Sequence, residues 1–175
     1  ASAVAIRATA ALDALGKPAD SDEQSAAESI LRGDPAPAAA LGGGGHSMIG
    51  HAIRTHRASD KWKALLCGSL FDTSDPVALD ALIGALESGH ETLAVAAGEA
   101  LAQPSAAPLW DRIVARTPTG LGTIRGAALT ALGGIDAKKA GPLLLEGALD
   151  AEPEVRRRSA GALAGLKNAA AQQGL

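Results

Sequence analysis

The chain has 175 residues, a net charge of −3 and a pI near 5.8, long enough for one domain with a real core. That charge offers no global attraction to nucleic-acid phosphates or anionic lipid, and no stretch approaches the roughly 20 apolar residues needed to span a bilayer; neither a nucleic acid nor a membrane is the expected partner. A single cysteine, Cys67, excludes an intramolecular disulfide and leaves a reducing cytosol open, so cytoplasmic placement is the expectation. Apolar residues make up 47% of the chain but aromatic residues only 2%. A core of Ala, Leu, Ile and Val with so few rings is thin and suits short, closely packed helices. Ala and Leu lead helix propensity, while the β-branched and aromatic residues that favour sheets are sparse. The fold class expected is all-α.

In chain order, residues 3–15 pattern as a helix. The chain begins at Ala1 without Met, as a processed chain or a piece of a longer one does. Asp20 or Ser21 can cap a second helix running to Arg32 and stopped by Gly33. Residues 1–33 thus read as an N-terminal helix pair. The Pro- and Gly-rich run DPAPAAALGGGG begins a connector over 34–46, expected to be loop or insertion. Residues 47–57 then pair as a first helix with a second over 61–71.

From there a repeat takes over. WKALLCGSL at 62–70, LAVAAGEAL at 93–101, IRGAALTAL at 124–132 and VRRRSAGAL at 155–163 superpose without gaps, each start 31 residues after the last. Each begins with a large apolar residue, carries a mostly small one four positions on (Leu66, Ala97, Ala128, Ser159) and ends in Leu at the eighth. That is helical spacing on one face. Apolar stripes precede the last three: Leu79, Leu82, Ile83 and Leu86; Leu109, Trp110, Ile113 and Val114; Leu143, Leu144, Leu145 and Ala148. Asp75-Pro76, Pro104-Ser105 and Asp136 open those first helices. Breaks at 88–89, 118–120 and 150–153 part the paired helices. Each repeat is therefore helix, turn, helix in about 31 residues, and no pair can bury its stripe alone, so pairs must stack. The repeats are expected over 47–166, with a polar C-terminal tail at 167–175.

DAEPEVRRRSAGAL at 150–163 resembles the second-helix signature of HEAT-like repeats of the phycobilisome-lyase type: an acidic turn, Val-Arg, small residues, then Ala-Leu. IRGAALTAL at 124–132 follows the same pattern; LAVAAGEAL lacks the basic residue, and WKALLCGSL carries Lys63 in its place. The resemblance covers roughly 47–166. It implies a right-handed α-solenoid of about five stacked antiparallel helix pairs. It also implies a non-catalytic protein–protein interaction scaffold or assembly factor that uses the concave second-helix face, with no cofactor. The alternatives it leaves open are a phycobilisome-lyase-like subunit or chaperone handling a tetrapyrrole or other cofactor, and an accessory domain of a larger enzyme. A terminal pair with an uncovered apolar face would also permit end-to-end self-association.

Candidate partner-binding residues are the basic groups following each large apolar start: Lys63, Arg125 and Arg156, with Arg157 and Arg158 beside the last. Two readings stand. They form a row that meets acidic groups of a partner, or a ladder in which Arg pairs with acidic turn residues such as Asp150 or Glu154. An exposed ladder pair adds only about 0–1 kcal/mol. His46, His51 and His56 suggest a metal, but residues five apart sit roughly 140° apart around a helix and the outer two lie about 15 Å apart along it. One zinc ion with bonds of about 2 Å cannot collect them, so they read as solvated or capping groups. His90-Glu91 is similar to the His-Glu pairs of the HEAT-like deoxyhypusine hydroxylases, which bind two irons. Nothing equivalent follows at 121–122 or 152–153, and Glu91 suits a helix N-terminus. GGGGHS at 42–47 lacks the Gly-Lys-Ser/Thr of a P-loop and reads as a connector. Cys67 sits in the apolar register and reads as a core thiol. HEAT-like DNA alkylpurine glycosylases need a basic face and aromatic residues; Trp62 and Trp110 fall instead in apolar stripes. No catalytic or metal-binding residue is assigned.

Overall fold

Asp75, Ser59 and Asp136 each sit immediately before a helix and accept a bond from a backbone N–H in its first turn. Asp75 receives Ala78 N–H at 2.9 Å, Asp136 receives Lys139 N–H at 2.9 Å and Ser59 receives Trp62 N–H at 3.3 Å. These are N-caps; Asp75 and Asp136 stand where the sequence reading placed helix starts, and Ser59 caps a start it did not name. A computed structural model describes residues 21–55 and 59–173. In it the helices are α1 Ser21–Leu31, α2 Ala36–Ala39, α3 Gly43–Thr55, α4 Asp60–Gly68, α5 Pro76–Leu86, α6 Glu91–Ala100, α7 Trp110–Val114, α8 Gly122–Ile135, α9 Ala137–Gly147 and α10 Pro153–Gln173. A 3-10 segment, Pro104–Leu109, leads into α7. The described residues contain no strand. The helix expected over 3–15, and His56, lie outside them.

The packing follows the 31-residue period. Each second helix rests on the second helix of the next unit: α4 on α6, α6 on α8 and α8 on α10. Among first helices, α3 packs on α5 in the same way. Within units, α5 meets α6, α7 meets α8, and α9 meets both α8 and α10. The register read from the sequence is the buried one. Leu93, Ile124 and Val155 are buried and Trp62 half-buried; Leu66, Ala97, Ala128 and Ser159 are fully buried, as are Leu70, Leu101 and Leu132. Small residues at the fourth position let adjacent helices close up, and dispersion contacts at that range replace the absent rings. Hydrogen bonds repeat the same step across units: Ser47 Oγ donates to Asp75 Oδ2 at 2.6 Å and Ser105 Oγ to the Thr73 carbonyl at 2.7 Å.

Four boundaries differ from the sequence reading; one is the helix expected over 61–71, which already ends at Gly68. The connector over 34–46 is not a loop: it contains α2, and Gly43 already opens α3. The reason is close approach. A Cβ on Gly45 would collide with the Ala38 carbonyl at the end of α2, so glycine there lets the first turn of α3 pack across α2 rather than breaking the chain. The tail over 167–175 is helical to Gln173, as a continuation of α10; Ala, Lys and Gln are good helix formers and no glycine or proline intervenes before residue 174. The third first helix is short because Pro104 and Pro108 withhold backbone donors, so its opening turn is 3-10 and regular α geometry starts only at Trp110. α1 ends as expected, with Gly33 N–H on the Ile30 carbonyl and Asp34 N–H on the Ser29 carbonyl, both at 3.0 Å, the paired bonds of a Schellman turn.

Candidate interaction surface

The basic row is held by the turns. Arg125 donates from Nη2 to Asp150 Oδ1 at 2.6 Å and from Nη1 to the Gly120 carbonyl at 2.9 Å, leaving its side chain 16% exposed. Arg156, one repeat on, donates to the Ala151 carbonyl at 2.6 Å and the Asp150 carbonyl at 2.8 Å. Both reach back five residues to the turn that opens their own helix. The Arg125–Asp150 pair is thus formed, while Arg156 bonds turn carbonyls instead. Asp150 receives the Glu152 N–H as well, and that bond, with Arg125 behind it, holds its carboxyl below the usual range. Lys63 is half-buried and lines a small cleft with Arg54, Ala81 and Ser88, toward the first helices.

Arg157 and Arg158 share Glu154. Arg157 grips it with two bonds, Nε to Oε2 at 2.8 Å and Nη2 to Oε1 at 2.6 Å, and Arg158 adds Nε to Oε1 at 2.7 Å. The two guanidinium groups push the Glu154 carboxyl down to about 2. Arg158 lies flat over Gly126 of α8 and reaches Glu99 of α6 at 3.5 Å, bridging three successive second helices.

His90 and Glu91 act as couplers between units. His90 Nδ1 lies 3.1 Å from Asp60 Oδ2, one repeat back, and Glu91 Oε2 accepts Thr123 Oγ1 at 2.5 Å, one repeat forward. His46 and His51 are half-buried on α3, and no three His, Cys, Asp or Glu side chains converge among the described residues. Cys67 is fully buried, and burial pushes its thiol up to about 12, which keeps it protonated and removes it as a nucleophile at neutral pH.

Two features escaped the sequence reading. On the first helices an alternating chain of charges runs Arg54, Asp80, Arg112, Glu87, Arg116, with contacts of 3.0, 3.3, 3.5 and 3.1 Å. Its signal was opposite charge at near-repeat spacing, 80 to 112 and 87 to 116. Second, the exposed side of the second helices is apolar at one end. Leu65 is 53% and Phe71 66% exposed. They border a groove of about 670 Å³ between α4 and α6, with Pro35, Gly68, Ala96 and Glu99. Leu65 stands three positions after the repeat start, where later repeats carry Ala96, Ala127 and Arg158. A large aliphatic residue at an outer position was the available signal. A second groove, about 720 Å³, opens between α7 and α9 beside Arg125, Leu129 and Asp150; Lys139 Nζ of α9 lies 4.0 Å above the Trp110 ring of α7. No helix among the described residues is long and apolar enough to cross a membrane.

No protein-family model, curated protein or solved structure matches the chain.

Proposed function

We propose that the chain is a HEAT-like α-solenoid scaffold that binds another protein through the exposed face of its second helices. The observation that carries this reading is the exposed pair Leu65 and Phe71 beside Ala96, an apolar patch on the side of α4 and α6 turned away from the core. Large apolar side chains left in water next to a groove are the usual mark of a protein contact. The one-unit contact pattern of α4, α6, α8 and α10 supports the solenoid, since units that touch only their neighbours leave one long face open. The arginines serve a different purpose in this reading: Arg125 of α8 and Arg156 of α10 fasten turns, whereas the contact surface lies on α4 and α6. The test is affinity capture from native extract with the full chain and with a Leu65→Ser/Phe71→Ser variant as baits. The reading predicts a stoichiometric protein retained by the first and lost from the second, with both baits equally helical by circular dichroism. Absence of any such protein, or its equal retention by both baits, contradicts it.

A further inference from the structure

The composition of the α4–α6 groove narrows what fits there. We infer, resting on the protein-binding reading above, that it receives an amphipathic helix with an aliphatic face flanked by lysine or arginine. The shape argument comes first. The groove lies between two adjacent helices, and its floor is open: a Cβ added at Gly68 would meet nothing within 4 Å. An incoming side chain can therefore reach the α4 backbone, while Leu65 and Phe71 stand on one side and Ala96 and Ala100 on the other. An apolar groove between two helices takes a third helix, which inserts side chains at i, i+3 or i+4 and i+7. An extended strand has no free sheet edge to join, because the described residues contain no strand.

Charge then selects the flanks. Among the described residues, Glu99 is the one charged residue lining the groove. Its carboxylate is 61% exposed and touches Arg158 only at 3.5 Å, whereas Arg158 is committed to Glu154 at 2.7 Å. Asp72 follows Phe71 and Asp34 precedes Pro35, both exposed. Arg32, on the neighbouring α1–α2 turn, is engaged with Glu28 at 3.1 Å. An apolar slot with the exposed Glu99 carboxylate in its lining favours a cationic flank and repels an anionic one, chiefly through encounter and register.

The experiment uses two fluorescein-labelled synthetic helices of 14 residues, one of Leu and Lys and one of Leu and Glu, with the same apolar stripe. Their binding to the full chain is followed by anisotropy. The Leu–Lys peptide is expected to bind at least about 10-fold tighter than the Leu–Glu peptide, a gap of ~1.4 kcal/mol. Leu65→Ser/Phe71→Ser should weaken it about 10-fold or more and Glu99→Gln several-fold. Leu149→Ser, at an exposed leucine that does not line the groove, should leave it unchanged. Equal binding of both peptides, or equal loss with Leu149→Ser, overturns the inference. So does a dimer in sedimentation that Leu65→Ser/Phe71→Ser dissolves, which would assign the groove to a second copy. If the variant loses the captured protein while the two peptides bind alike, the scaffold reading stands and the cationic helix falls.

Discussion

Replacing Gly98 by alanine gives opposite signs according to whether α6 and α8 are in contact. Gly98 is buried in α6, and a Cβ built on it would stand 2.6 Å from the Ala127 carbonyl oxygen and 2.9 Å from the Ala127 Cβ. Both distances are inside van der Waals contact, and the oxygen belongs to backbone, which cannot rotate away. Alanine for glycine inside a helix is worth about 1 kcal/mol in favour of alanine. Forcing a methyl group into a packed interface costs about 1–3 kcal/mol. At Gly84 in α5 and Gly161 in α10 nothing lies within 4 Å of the added Cβ, so only the favourable term acts. Gly84→Ala and Gly161→Ala should therefore melt above the parent chain, and Gly98→Ala below or level with it. The expected separation is about 1–3 kcal/mol. For a chain of this size each kcal/mol moves Tm by roughly 2–4 °C, so thermal melts followed at 222 nm resolve it. If Gly98→Ala gains as much stability as Gly84→Ala, α6 and α8 do not touch and the packing described above is wrong.

Ser159 occupies the small position that Ala97 and Ala128 fill in earlier repeats; it is fully buried against Gly147, and its hydroxyl has no hydrogen-bond partner among the described residues. Ser159→Ala should stabilise the chain by about 1 kcal/mol in urea titration, the relief of a buried unpaired hydroxyl; a loss of stability would show that the hydroxyl is bonded. Arg125→Ala should lower Tm by a few degrees, because it frees Asp150 and the Gly120 carbonyl, while Arg157→Ala, on an exposed pair, should lower it less. The Glu154 carboxyl is lowered from its ordinary 4.5 to about 2. A depressed carboxylate contributes stability above its unfolded value and loses it as pH falls toward the folded one. Stability should therefore decline between pH 4.5 and 2, and Glu154→Gln should flatten part of that decline.

The fold was legible where the sequence repeats itself. Val155, Ser159 and Leu163 share one helical face with their equivalents at 31-residue steps, and that periodicity needs no knowledge of neighbours. Asp75 and Asp136 were equally readable, since capping is a local bond. The glycine run misled: Gly45 looks like a chain break in isolation, and only the Ala38 carbonyl beside it shows that it is a contact. The arginines were ambiguous because the turn carbonyls follow from how a helix meets its own preceding turn, and Asp150 reaches Arg125 from the turn one unit on. Leu65 and Phe71 were overlooked because an apolar residue in an apolar-rich stretch carries no mark of facing outward until the helix is placed. The charge chain from Arg54 to Arg116 needed the first helices set side by side.

Spin labels one, two and three units along the second helices test the stacked arrangement most directly. Lys61, Thr92, Thr123 and Glu154 occupy equivalent positions on α4, α6, α8 and α10. With Cys67 replaced by alanine, pairs of cysteines there can be labelled and their separations measured by double electron–electron resonance. Helices that pack at about 8–10 Å predict a steady lengthening, from about 20 Å between 61 and 123 to roughly 30 Å between 61 and 154. A 61–154 separation equal to or shorter than that between 61 and 123 would mean the helices close on themselves, and would contradict both the solenoid and the open face assigned to it.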